Sequence, residues 1–191
     1  MPRFFERIFP VLLALWPIQA IAQDPACTYG TEQAFQNVSE SYAGIWSVMH
    51  QKGFVSSGGM ILPFGNDPDG PETVTIFLMD DQLVMTHPQA QESMELTWAN
   101  EPVWTFEGDA ANDGVPEPLL SSEDIELLMG CKNDKMARLI GKSKAVVDGM
   151  TMEFTYRLMI VGETAMYGVM HMQTVAQGYP VNVWRSVALT R

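Results

Sequence analysis

The chain has 191 residues, a formal net charge of −12 at pH 7 and 47% hydrophobic residues. This apolar content argues against disorder, and the length fits one domain with a core of ordinary size. A surface this acidic repels phosphate backbones and anionic lipid, which excludes nucleic acid and membrane surfaces as expected partners.

The first 22 residues have the order of a secretory signal peptide. Arg3 and Arg7 precede an apolar run, Ile8–Ile18, that leads to Ala20-Ile21-Ala22, so cleavage is predicted after residue 22. The run is too short, and is broken by two prolines, for a helix that spans a bilayer of about 30 Å; a retained N-terminal anchor is the alternative. We therefore expect a single β-rich domain over residues 23–191, periplasmic or secreted.

The two cysteines, Cys27 and Cys131, lie far apart in the sequence and form no CxxC motif. In an oxidising compartment such a pair most simply forms one disulfide, which would hold the N-terminal segment on the body of the domain. Free thiols that join Met or His in a copper site are the alternative.

Two short helices are predicted. Thr31–Tyr42 places Phe35, Val38 and Tyr42 at helical spacing behind a threonine N-cap. Ser121–Met129 has an acidic first turn, places Ile125, Leu128 and Met129 on one face, and is followed by a glycine stop. A strand paired across Asn133-Asp134 is the alternative for the second segment.

Short alternating segments predict strands throughout the rest of the chain. Turn-rich pieces separate them, including Asp67-Pro68-Asp69-Gly70 and Asp80-Asp81-Gln82. This pattern is typical of an antiparallel barrel or, alternatively, a β-sandwich. The early segments are Ile45–Gln51, Thr73–Met79, Leu83–His87, Met94–Trp98 and Val103–Glu107.

The clearest strand runs from Met152 to Ile160 and puts Phe154, Tyr156 and Leu158 on one apolar face. If Gly162-Glu163 forms a two-residue hairpin turn, His171 of the next strand lies opposite Phe154 on that face. Met170 and Met172 then point the other way.

Methionines flank the histidine in Met170-His171-Met172, and soft thioethers select Cu(I). Neighbours along a strand diverge, which disfavours one compact Met-His-Met chelate. Met170 and Met172 together, with Met85 and His87 on one strand face, form the candidate metal site. Methionine is abundant here, however, and also fills irregular cores.

Arg185 is expected to share a face with Val181, Val183, Val187 and Leu189, so its charge needs a partner if that face is buried. One interpretation is an anchor for a ligand carboxylate inside an apolar cavity. The other is a guanidinium stacked on an aromatic ring such as Trp46.

Gly44-Ile45-Trp46 follows a short helix and opens the first strand, and Arg185 lies in the final strand. This order resembles the lipocalin and broader calycin pattern, in which the Trp of a Gly-x-Trp motif packs under an Arg at the closed end of an up-and-down barrel. The resemblance implies that Trp46 and Arg185 are structural partners. The Thr-Asp-Tyr motif of that family is not found between the middle strands, which leaves the topology open.

We find none of the common catalytic motifs and no catalytic residues to assign, so a non-enzymatic function is favoured. The leading hypothesis is a carrier or sensor that holds an apolar or amphipathic small molecule. Phe154, Tyr156 and Leu158 would bury the ligand, and His171 or Arg185 would orient it. The alternatives are a periplasmic copper-binding protein, and an envelope interaction module whose protein partner contacts exposed methionines such as Met159 and Met166.

Overall fold

A computed structural model describes residues 25–86, 93–99, 122–147 and 149–191. Within these residues the chain forms two short α-helices, three 3₁₀ turns and nine strands. The helices are α1 (Glu32–Gln36) and α2 (Ser122–Met129), and the 3₁₀ turns are Pro25–Thr28, Ser39–Tyr42 and Asn133–Lys135. The strands are β1 (Gly44–Ser57), β2 (Met60–Phe64), β3 (Glu72–Met79), β4 (Gln82–Thr86), β5 (Met94–Trp98), β6 (Arg138–Val147), β7 (Met150–Gly162), β8 (Ala165–Ala176) and β9 (Tyr179–Thr190).

All pairings of these strands are antiparallel, and they form one sheet that closes into a ring. The sheet order is β2-β1-β3-β4-β5-β6-β7-β8-β9, and β1 also pairs with β9. The long strand β1 pairs with β3 through its first residues and with β2 through its last. This ring confirms the predicted mainly β, barrel-like architecture. The alternative prediction, a β-sandwich, is wrong, because the strands form one closed sheet.

Local sequence signals account for several element ends. The Thr31 hydroxyl accepts the Ala34 backbone N–H at 3.2 Å and caps α1, as predicted. Gly130 has a φ of +67° and ends α2, also as predicted. Asp80 and Asp81 both have positive φ, which gives the tight turn between β3 and β4 the twist that antiparallel hairpins require.

Two details of the helices differ from the sequence expectation. The first helix ends at Gln36, and a separate 3₁₀ turn continues to Tyr42. Leu128 is 79% exposed and does not share the buried face of Ile125. The face of α2 that packs on the sheet carries Ile125 and Met129. The segment Val103–Glu107 lies outside the described residues, as does His87.

The main core fills the inside of the ring. Alternate residues of each strand point inward, so Trp46, Val48 and His50 share one face of β1. The inward side chains that are almost fully buried include Trp46, Val48, Ile76, Leu83, Leu139, Leu158, Ile160, Met166, Val187 and Leu189. Burying side chains of this size contributes about 1.5–3 kcal/mol each.

A second, smaller core covers part of the outer wall. Ile125 of α2 packs with Met159 and Val169, on the outward faces of β7 and β8, and with Met136, which precedes β6. The predicted disulfide between Cys27 and Cys131 is present. It joins the first 3₁₀ turn to the residues that follow α2, so it holds the N-terminal segment beside this outer core.

The predicted register of the β7–β8 hairpin is wrong by one residue. Gly162 pairs with Ala165, so the turn is Glu163-Thr164, and a bulge at Val161 shifts the ladder. Phe154 therefore pairs with Met172, and His171 pairs with Thr155. A shift of one residue exchanges the two faces of a strand, so Met172 points inward and His171 points outward.

No helix within the described residues is long and apolar enough to cross a membrane.

Candidate functional site

The inside of the ring differs at its two ends. At the end marked by Trp46, the inward residues of β7, Leu158 and Ile160, are fully buried. Further along the same strand Tyr156 and Phe154 are only partly buried. The inward side chains are thus fully buried toward the Trp46 end and partly exposed toward the opposite end, which we call the mouth.

A cation closes the Trp46 end, but it is Arg191 and not Arg185. The Arg191 guanidinium carbon lies 5.2 Å from the centre of the Trp46 ring. Its Nη1 and Nη2 donate to the backbone carbonyls of Ala43 and Glu163, each at 3.2 Å. Gly44 lies beside this guanidinium with a φ of +144°, a conformation that favours glycine. The predicted partnership of Trp46 with Arg185 is therefore wrong.

Arg185 lies toward the mouth and supports a bulge in β1. The pairing of β1 with β9 shifts between His50 and Gly53. Arg185 Nε and Nη2 donate to the Gln51 carbonyl at 3.2 and 3.1 Å, and Nη2 also donates to the His50 carbonyl at 3.3 Å. The need for bonding partners around this charge was predicted correctly.

Asp67 and Phe64 complete the surroundings of Arg185. The Asp67 carboxylate lies 3.3 Å from Arg185 Nη1, and the guanidinium carbon lies 5.2 Å from the Phe64 ring centre. The Asp67 carboxylate also accepts the Asp69 backbone N–H at 3.1 Å, which forms the predicted turn. Because Nε, Nη1 and Nη2 of Arg185 all donate to groups of the protein, the main role of this residue is structural.

The polar group best placed for a ligand is a chain of three side chains at the mouth. His50 Nε2 lies 3.3 Å from the Tyr156 hydroxyl, and His50 Nδ1 lies 4.0 Å from a Glu72 carboxylate oxygen. The His50 side chain is 12% exposed and that of Glu72 is 43% exposed. The chain therefore runs from the partly open Glu72 to the interior Tyr156.

Burial raises the pKa of Tyr156 far above its usual value, and the negative charge of Glu72 raises it further. The Arg185 charge acts in the opposite direction but is the smaller effect. Tyr156 is therefore a neutral phenol at every physiological pH. When its proton points toward His50 Nε2, the phenol oxygen keeps lone pairs that can accept a bond from a ligand.

Apolar side chains surround this polar chain. Phe154, Tyr156 and Met172 pack against the main core while remaining partly exposed, and Met170 and Leu158 lie behind them with exposures of 6% and 0%. The mouth thus combines aromatic and thioether surface with a few polar side chains, which is the general composition of small-molecule sites.

His171 lies on the outside of the ring. Its imidazole stacks on Trp184 with ring centres 4.7 Å apart, and its Nε2 lies 3.2 Å from the Asn182 side-chain oxygen. The expectation that His171 lies on the apolar inner face is therefore wrong, and the cause is the bulge at Val161. Of the two histidines that the structure describes, His50 is the one that faces the interior.

The candidate metal ligands are only partly brought together. Met85 and Met170 belong to the main core and Met172 packs against it, so these thioethers face the same interior. His87 lies outside the described residues. In the ranges that the structure describes, no group of three or more His, Cys, Asp or Glu side chains is arranged to hold a metal ion.

The two methionines expected on an exposed partner surface are buried. Met159 and Met166 are each 1% exposed, because Met159 belongs to the outer core and Met166 to the inner one. The exposed large apolar side chains include Ile45 and Met60 on the strands, and Leu127 and Leu128 on α2.

Sequence patterns could have found part of the mouth. His50 follows Trp46 and Val48 at strand spacing, which predicts that it faces the core. Glu72 is likewise in phase with Val74 and Ile76 of β3. The pairing of His50 with Tyr156, separated by 106 residues, has no local signal because it depends on closure of the ring.

Comparison with known proteins gives no further assignment, since no family model and no curated protein matches this sequence.

Proposed function

We propose that the protein is an exported, non-enzymatic carrier or sensor that holds an apolar or amphipathic small molecule in the mouth of a lipocalin-like barrel. The observation that carries this proposal is the change in burial along the inner face of β7, from fully buried Leu158 and Ile160 to partly exposed Tyr156 and Phe154. The closed ring and the cation over Trp46 support the lipocalin-like part of the proposal. The disulfide supports export to the periplasm or beyond.

The ligand would place its apolar body against Phe154, Met172 and Leu158, and its polar group against Tyr156 and His50. Covering apolar surface supplies about 25 cal/mol for each Å² removed from water. The hydrogen bond to the Tyr156 oxygen would set the orientation, because an unpaired donor in such a site costs about 1–3 kcal/mol.

Native mass spectrometry would test the carrier directly. The full chain is exported with its own N-terminal segment and purified without detergent or chelator. A retained organic adduct would support the proposal and give the mass of the ligand. A protein that carries no adduct and does not bind a neutral apolar probe, N-phenylnaphthylamine, would contradict it.

A pair of adjacent substitutions locates the site. We expect Met172→Glu to weaken binding of the naphthylamine probe at least tenfold, since a carboxylate would have to be buried beside the ligand. Gln173→Glu is the matched control, because residue 173 is exposed on the opposite face of the same strand. Equal affinities of the two variants would contradict binding inside the ring.

Copper binding is a second candidate, and the favouring observation is that Met85, Met170 and Met172 turn toward one interior. His50, and not His171, is the described histidine that faces the same space. This candidate predicts Cu(I) uptake that is lost in the Met170→Ala/Met172→Ala double variant. A mass excess that fits copper in the native spectrum would support it, and uptake unchanged by the double substitution would exclude these ligands.

A further inference from the structure

Arg138 is a cation buried in the outer wall, away from the mouth. It is the first residue of β6, it pairs with Met159, and it is 6% exposed. Leu139 beside it points into the main core, so Arg138 lies on the outward face of the strand. On that face Met159 packs with Ile125 of α2 in the outer core.

Two guanidinium nitrogens of Arg138 lack a hydrogen-bond partner in the part of the chain that the structure describes. Among the described residues, neither Nε nor Nη1 has a hydrogen-bond partner, although both atoms are buried. The same is true of the side-chain oxygen of Asn133, which is 5% exposed and lies in the 3₁₀ turn just before β6. Orphaned polar atoms of this kind are rare in folded proteins, and a bound ion that supplies the missing bonds would account for them.

The buried positive charge of Arg138 also calls for a partner. Burial lowers the pKa of Arg138, and the negative charge of Asp134 opposes that effect without overcoming it. An arginine does not lose its proton in a protein, so the charge stays and needs a counter-ion. Asp134 forms no ion pair with Arg138 among the described salt bridges, and its charge therefore acts only at a distance.

We propose that Arg138 is the receptor of a small oxyanion, a carboxylate or a phosphate, bound between β6 and the α2 segment. Oxygen atoms of such an anion would accept bonds from Nε and Nη1, and its charge would neutralise the guanidinium. This site is independent of the ligand proposed for the mouth.

Thermal unfolding of the full protein at constant ionic strength tests the proposal. Sodium phosphate or sodium acetate replaces sodium chloride in two parallel titrations, which distinguish a phosphate receptor from a carboxylate receptor. We expect one of the two anions to raise Tm in a saturable way, by about 5–10 °C when its concentration is one hundred times its Kd. No rise above the chloride baseline with either anion would overturn the proposal.

Two variants assign the effect to Arg138. Arg138→Met keeps the volume and removes the charge, so it should abolish the anion response while matching or exceeding the wild-type Tm in chloride alone. Lys142→Met removes an exposed cation from the same strand and should keep the full response. A response that persists in Arg138→Met would overturn the proposal. If that variant does not fold, the same phosphate and acetate titrations are run on Arg138→Lys. Lysine keeps the charge but lacks the paired Nε and Nη1 donors, so the Tm response should weaken, and an undiminished response would overturn the proposal.

Discussion

The disulfide is expected to supply a large part of the stability of the domain. Cys27 and Cys131 are separated by 104 residues, so the cross-link closes a loop that spans more than half of the 191-residue chain. In the chain-entropy model, a loop of this length removes enough freedom from the unfolded state to stabilise the fold by about 4.7 kcal/mol. For a domain of this size that corresponds to a Tm change of roughly 9–19 °C.

The assay is equilibrium unfolding in urea, followed by tryptophan fluorescence, of wild type and of the Cys27→Ala/Cys131→Ala variant. Wild type in excess dithiothreitol is the matched control, because reduction removes the same cross-link without removing either sulfur atom. We expect both to lose stability by similar amounts close to the chain-entropy value. A loss below about 1 kcal/mol would refute the reasoning, since the N-terminal segment would then be held by its packing alone.

Two further predictions concern the packing of the strands and the stability of the fold at acidic pH. Gly168→Ala should destabilise the fold by roughly 1–3 kcal/mol in the same urea assay, because an added methyl group would meet the backbone carbonyl of Arg157 on the neighbouring strand. The backbone N–H of Asp69, and then the Arg185 charge, lower the pKa of Asp67. That carboxylate therefore stabilises the fold above its unfolded-state pKa of 3.8, and the contribution is lost as pH falls through the lower folded-state value. Asp67→Asn should therefore reduce the loss of Tm between about pH 5 and about pH 2. Asp69→Asn is the control, because it removes one negative charge from the same turn. If Tm depends on pH in Asp67→Asn as it does in wild type, this assignment is contradicted.

Local patterns predicted the elements well because they depend on residues close in sequence. The Thr31 cap, the Gly130 stop and the alternation of β7 all arise from neighbours within a few positions. The disulfide followed from there being only two cysteines in the chain. These features required no knowledge of which strands meet.

The composition of the site depended on one bulge and on closure of the ring, and neither has a short-range signature. A single extra residue at Val161 exchanged the faces of β8, so the sequence prediction put His171 inside and Met172 outside. The cation over Trp46 was misassigned for a related reason: two arginines near the chain end fit the pattern, and only the register of β9 against β1 selects Arg191.

Closure of the ring has a consequence for how the protein reaches its native state. The pairs that join β1 to β9 connect residues such as Val48 and Leu189, so the seam forms only when almost the whole chain is present. Contacts of such long sequence separation make folding slow, because the entropy of a large loop must be lost before the pairing energy is gained. Until β9 is available, β1 and β8 each lack that neighbour and present unpaired edges, which are prone to pair with other molecules. Cys27 and Cys131 both precede β7, so their disulfide can form before the seam does. Early oxidation would reduce the conformational entropy that is still to be lost when β1 pairs with β9, and would protect the unfinished domain until then.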